Sequence, residues 1–140
     1  MRKILLLALG GTIACVKTKR GLVPILKARD LLKLVPPSRG VIVDSIDFLK
    51  RTIVFPDDWV SLSRKIFAVF NQYDGFVVTL GTDTLAFVSS ALSLMLANLS
   101  KPVVLTGAMK TIQSPQSDGR KNVRDAVRLA AQGTAGGVFV

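Results

Sequence analysis

Ile4 to Leu9 reads ILLLAL and breaks off at Gly10-Gly11-Thr12. An aliphatic run this short, with no polar alternation, fits a strand buried on both faces, which is the habit of parallel sheets. Runs of the same kind recur, and the strand candidates are Lys3–Leu9, Val41–Ile46, Gly75–Leu80, Pro102–Thr106 and Gly137–Val140. Between them lie segments of helical period at Ala28–Leu34, Asp58–Phe70, Thr84–Ala97 and Gly119–Gln132. The order βαβαβαβαβ predicts an α/β fold: a doubly wound, mostly parallel sheet with helices on both faces, in three layers.

In such sheets ligands bind beyond the carboxyl ends of the strands. Three loops leave strands on that rim, carrying Gly10-Gly11-Thr12, Gly81-Thr82-Asp83-Thr84 and Gly107-Ala108-Met109-Lys110. The second helix follows Pro56-Asp57 and places Trp59, Leu62, Ile66 and Val69 or Phe70 on one face. The last follows Ser117-Asp118, repeats apolar residues at Val123, Ala126, Val127 and Ala130, and stops at Gly133.

Composition removes several chemistries. Nineteen Lys and Arg face nine acidic residues, all aspartates, and the chain has neither Glu nor His. A zinc site or a Ser-His-Asp triad within these residues is excluded. The net charge of +10 is spread from Arg2 to Arg128, and its densest group, Lys17, Lys19 and Arg20, falls in what reads as a polar loop. Aromatics make up 6% and do not interleave with the cations, so no specific nucleic-acid partner is expected. Cys15 is the single cysteine, which fits a reducing, cytoplasmic setting, and without His it lacks a partner for thiolate catalysis. Arg2 and Lys3 precede the first apolar run as in an export signal. Its six residues fall short of the ~7–15 of a signal core, and nothing approaches the ~18 of a membrane span.

Gly10-Gly11 lets the backbone turn sharply and approach a ligand without Cβ interference, and Thr12 presents a hydroxyl there. The bland reading is a tight strand exit with an ordinary turn threonine. A dinucleotide loop fails on spacing, since no G-x-G-x-x-G or G-K-[ST] occurs. Thr79 to Thr84 places hydroxyls and the Asp83 carboxylate directly after an aliphatic strand. Thr82 or Asp83 could simply cap the following helix, or the pair could serve a ligand at a helix N-terminus.

Gly10-Gly11-Thr12-Ile13-Ala14, followed about 70 residues later by Gly81-Thr82-Asp83-Thr84, resembles the bacterial-type L-asparaginase family, which includes asparaginase/glutaminases and an archaeal tRNA amidotransferase subunit. The resemblance runs along the chain through Pro56-Asp57-Asp58-Trp59, Tyr73-Asp74-Gly75-Phe76, Lys101-Pro102-Val103-Val104, Thr106-Gly107-Ala108-Met109, and Ser117-Asp118-Gly119 with Asn122. It implies an amidohydrolase that attacks the side-chain amide of L-asparagine with a threonine, releases ammonia and hydrolyses the resulting ester to L-aspartate, with no cofactor. By position, Thr12 matches the nucleophile. Thr82 and Asp83 match a second threonine and aspartate that act with a lysine, and Gly11, Gly81 and Ala108 fall in substrate-lining loops. The resemblance further implies a homo-oligomer, dimer or tetramer, with no membrane partner. The family's lysine, its smaller C-terminal domain and a glutamate from a neighbouring subunit match nothing up to Val140. Residues 1–140 are therefore expected to be one N-terminal domain, incomplete at its C-terminal end, as a fragment or a shortened reading frame.

Three departures accompany the resemblance. Gly21-Leu22 stands where relatives carry Gly-Tyr, whose tyrosine helps activate the nucleophile. Lys50-Arg51-Thr52 replaces polar residues that hold the substrate carboxylate, leaving Arg51 and Thr52 as binding candidates, since a guanidinium binds a carboxylate bidentately. Leu80 replaces a frequent His. An uncompensated general base is worth roughly 3–5 kcal/mol of barrier, so the 140 residues alone are expected to show residual turnover at most. Lys110 is the in-chain candidate to compensate beside Asp83. The alternatives are a non-catalytic module that binds a small amino acid or a protein partner, and a relative of the tRNA-dependent amidotransferase subunit.

Overall fold

The computed structural model describes residues 1–51 and 54–140, without the side chains of Lys50 and Arg51. Its centre is β1 (Arg2–Gly10), which pairs in parallel with β4 (Val41–Arg51) on one side and β5 (Gly75–Thr79) on the other. β6 (Pro102–Thr106) and β7 (Gly137–Phe139) continue the parallel sheet, giving the order β4-β1-β5-β6-β7. Alternate side chains of β1 enter different cores. Ile4, Leu6 and Ala8 pack with residues of α1 (Ala28–Lys33) and α4 (Gly119–Gln132), while Leu5, Leu7 and Leu9 pack with α2 (Pro56–Ala68) and α3 (Thr82–Met95). With helices over both faces, every β1 side chain from Ile4 to Leu9 is buried, which is why the run shows no polar alternation.

The helices follow their apolar faces. Leu62 and Ile66 of α2 are fully buried, with Trp59, Val69 and Phe70 packed around the same core. Val123, Ala126, Val127 and Ala130 of α4 are buried, and Gly133 ends that helix in the left-handed conformation at φ 62°. α2 and α3 each begin two residues earlier than the periodicity predicts. In α2, Pro56 occupies the first helical position, where its missing N–H costs nothing, and the Asp58 carboxylate accepts the Phe55 N–H at 2.8 Å. β4 runs five residues past its expected end at Ile46.

The segment read as a polar loop is instead an antiparallel hairpin, β2 (Cys15–Thr18) with β3 (Gly21–Pro24). Gly21 turns at φ 101°, the Thr18 hydroxyl donates to Gly21 O at 2.9 Å, and the Arg20 N–H donates to that hydroxyl at 3.1 Å. Lys17, Lys19 and Arg20 are solvated, as expected of the cations, while the β-branched Val16, Thr18 and Val23 supply the strands.

Candidate active site

The chain crosses from β1 to β4 on one side and then returns past β1 to β5 on the other. The sheet's crevice therefore opens between the carboxyl ends of β1 and β5, its topological switch point. The two turns that leave these strands touch. Gly11 has φ 78° and ψ −179°, and a Cβ there would overlap the backbone N and Cα of Gly81. Only glycine fits both that conformation and that contact. Thr12 then opens a 3-10 turn, Thr12–Ala14, closed by the Ala14 N–H donating to Gly11 O at 3.0 Å. Thr12 is half-buried, above the fully buried Ile13 and Ala14.

Gly81 is the N-cap of α3, and among the described residues no side chain caps that helix. Thr82 and Asp83 are its first and second residues rather than its cap, so the capping alternative is corrected by where the helix begins. Thr82 is half-buried and Asp83 exposed, beside first-turn N–H groups that favour negative charge.

The third loop closes on the same place. A Cβ on Gly107 would lie 2.7 Å from Leu80 O and 3.4 Å from Thr82 Cγ2. Gly107 and Ala108 are buried, and Met109 and Lys110 are exposed. The loop is held by the start of α4. The Asp118 carboxylate accepts the N–H groups of Met109 (3.0 Å) and Lys110 (3.2 Å), and the Asn122 side-chain amide donates to Gly107 O (3.0 Å) and to Asp118 (3.3 Å). The Met109 N–H in particular holds the Asp118 carboxyl below its ordinary pKa. Ser117-Asp118 reads in sequence as a helix start, and the role of these residues in holding the rim went unread. Asp118 does occupy the N-cap, but its carboxylate points back to the rim loop. A carboxylate and an amide four residues apart, one turn of one helix, is the pattern that could have signalled it.

The remaining candidates divide. The Lys110 ammonium donates to Gln116 Oε1 at 3.2 Å on the surface. The backbone of Arg51 pairs with Gly10, at the rim, while the Arg51 side chain and all of Thr52 lie outside the described residues. Tyr73 donates its phenolic hydrogen to Asp44 at 3.0 Å, and Asp44 pairs with Leu5, inside the sheet rather than at the rim. Burial pushes the Cys15 thiol up, and it donates to Gly11 O at 3.3 Å, so it is held in the form that is a poor nucleophile. Among the described residues no group of three His, Cys, Asp or Glu could hold a metal ion, and no helix is long and apolar enough to cross a membrane.

Sheet order and rim together define an α/β domain that brings glycine turns and threonine residues together at its switch point. Residues 3–140 match the family Asparaginase, N-terminal. The L-asparaginase of Thermococcus kodakarensis is 46% identical over 138 residues, which cover 96% of this chain and 42% of that protein. Its structure superimposes with a TM-score of 0.89 at 43% identity, over 99% of this chain and 43% of that one. L-asparaginase 1 of Escherichia coli K12 is 35% identical, over 87% of this chain and 38% of its own length. The structure of a probable cytoplasmic L-asparaginase from Campylobacter jejuni gives a TM-score of 0.85 at 31% identity, covering 99% and 43% of the two chains. The chain belongs to the asparaginase family and corresponds to its N-terminal domain. It spans about two fifths of the length of these relatives.

Proposed function

We propose that these residues form the nucleophile-bearing part of an L-asparagine amidohydrolase. The observation that carries the proposal is the contact between Gly11 and Gly81, which sets Thr12 and Thr82 on adjoining turns at the switch point. In this reading the Thr12 hydroxyl oxygen bonds to the side-chain amide carbon of L-asparagine and gives up its proton. The carbonyl π electrons move onto oxygen, where backbone N–H groups of the rim hold the negative charge. As the carbonyl re-forms, the C–N bond breaks, and the nitrogen takes a proton and leaves as ammonia. Water then cleaves the ester to L-aspartate and restores Thr12. Thr82 and Asp83 engage the substrate's polar groups at the start of α3, and Gly11, Gly81, Arg51, Thr52 and Ala108 line the substrate. Cytoplasmic location and homo-oligomerisation of the whole protein belong to the same reading.

A positioned base is worth about 10²–10⁴ in rate, and the Gly-Tyr tyrosine is replaced by Leu22. Residues 1–140 by themselves are therefore expected to bind L-aspartate and L-asparagine in calorimetric titrations and to release ammonia at a residual rate. Thr12→Ala should abolish that release while binding persists. Failure to bind either amino acid would refute the proposal. Binding with no trace of ammonia release would favour a non-catalytic amino-acid module.

A further inference from the structure

The reading of the rim as an L-asparagine site sets Ala108 of its third loop against the substrate, and side chains at the start of α4 hold that loop. Residues 107–110 belong to no helix or strand, so no regular ladder fixes their peptide groups. Three of the four are held from α4 instead: Gly107 by its carbonyl through Asn122, and Met109 and Lys110 by their N–H groups through Asp118. Ala108, between the anchored residues, is buried. The same loop presses Gly107 on Leu80 and Thr82. The Asn122 amide also donates to the Asp118 carboxylate, so the two anchors are one connected unit. The Ser117 hydroxyl adds a third tie by donating to Lys110 O at 3.2 Å while accepting the Gly119 N–H at 3.0 Å. A glycine at 119 keeps α4 close, since a Cβ there would lie 3.2 Å from both the Ala108 Cβ and Ile13 Cγ1.

We infer that Asp118 and Asn122 are positioning residues for substrate binding: acting through the Gly107–Lys110 loop, they set the wall against which Thr82 and the ligand are placed. A carboxylate accepting two N–H groups is strong and directional, and an error of about 1 Å in a binding wall is worth up to about 100-fold. The inference rests on the proposed function for its ligand and on the hydrogen bonds alone for the loop.

Two readouts separate those foundations. The first is amide hydrogen exchange at Met109 and Lys110, which needs no ligand. Asp118→Ala should speed it about 10- to 100-fold. Asp118→Asn retains one acceptor oxygen and should fall between. The second is L-aspartate affinity, expected to weaken about 10- to 100-fold in Asp118→Ala, less in Asp118→Asn, and also in Asn122→Ala. Asp125→Asn, which removes an exposed carboxylate on the same helix paired with Lys121 and Arg124, is the control and should change neither. Faster loop exchange with unaltered L-aspartate affinity overturns the positioning role, and so does unaltered exchange. Should the parent protein bind no L-aspartate, the proposed function falls and the positioning role with it, while the exchange result still shows whether Asp118 holds the loop. Should Asp118→Ala not fold, Asp118→Asn and Asn122→Ala carry the same comparison.

Discussion

Replacing Gly11 with alanine tests the contact on which the site depends. The added Cβ meets two obstacles. One is conformational: φ 78° with ψ near 180° is a region that L side chains rarely adopt, with a cost of about 1–3 kcal/mol. The other is steric, because the Cβ would overlap backbone atoms of Gly81 and lie 2.6 Å from the carbonyl carbon of Leu80, none of which can swing aside as a side chain could. Overpacking of this kind adds about 1–3 kcal/mol. The sum, about 2–6 kcal/mol, is a large fraction of the ~5–15 kcal/mol that holds a typical domain together. It corresponds to a fall in Tm on the order of 10–25 °C. Gly21→Ala is the internal standard. Gly21 also has positive φ, at 101°, but nothing among the described residues lies within 4 Å of its added Cβ, so only the backbone cost of about 1–2 kcal/mol applies. Urea titrations of both variants beside the parent protein give the comparison. If Gly11→Ala destabilises no more than Gly21→Ala, the β1 and β5 turns are not in rigid contact, and the argument that places Thr12 beside Thr82 fails.

Thr79 is fully buried, and its hydroxyl has no hydrogen-bond partner among the described residues, so Thr79→Val should stabilise the fold by about 1 kcal/mol in a urea titration. A loss of similar size would show that the hydroxyl is satisfied in solution. Asp74 is held below the ordinary aspartate value chiefly by the Lys3 N–H, then by Arg2, and Asp118 chiefly by the Met109 N–H. Because the folded values are depressed, this stability is present above the unfolded aspartate value and is lost as pH falls through about 4 and below. Urea midpoints should therefore drop on acidification, less steeply in Asp74→Asn, and parallel curves for the two proteins would contradict the assignment. Tyr73→Phe removes the hydrogen bond to Asp44, which should cost about 1 kcal/mol and leave L-aspartate affinity unchanged. Weakened binding would mean that Tyr73 communicates with the rim.

The sheet and its four helices were legible because continuous aliphatic runs and 3.6-residue periodicity report burial directly, and burial decides these elements. The β2–β3 hairpin was not, because Lys17, Lys19 and Arg20 mask a short strand pair that faces mostly solvent and carries almost no burial signal. Helix starts shifted where backbone geometry decides: Pro56 and Thr82 can begin a helix with no apolar residue to announce them. The place of Thr12 and Thr82 on the rim was legible because glycine turns after buried strands mark a rim. The Asp118 and Asn122 contacts were not, since a hydrogen bond between residues 9 or 15 positions apart depends on where the intervening loop returns. Arg51 and Thr52 are departures readable only in the sequence.

The central position of β1 also orders events as the chain is synthesised. β1 can pair with β4 once the chain has been made through Arg51, but its other edge stays unpaired until β5 follows. That edge is apolar, of the kind that recruits foreign strands. Between those two moments a nascent chain exposes an aggregation-prone flank, and the same late docking of β5 first brings the two threonine turns together.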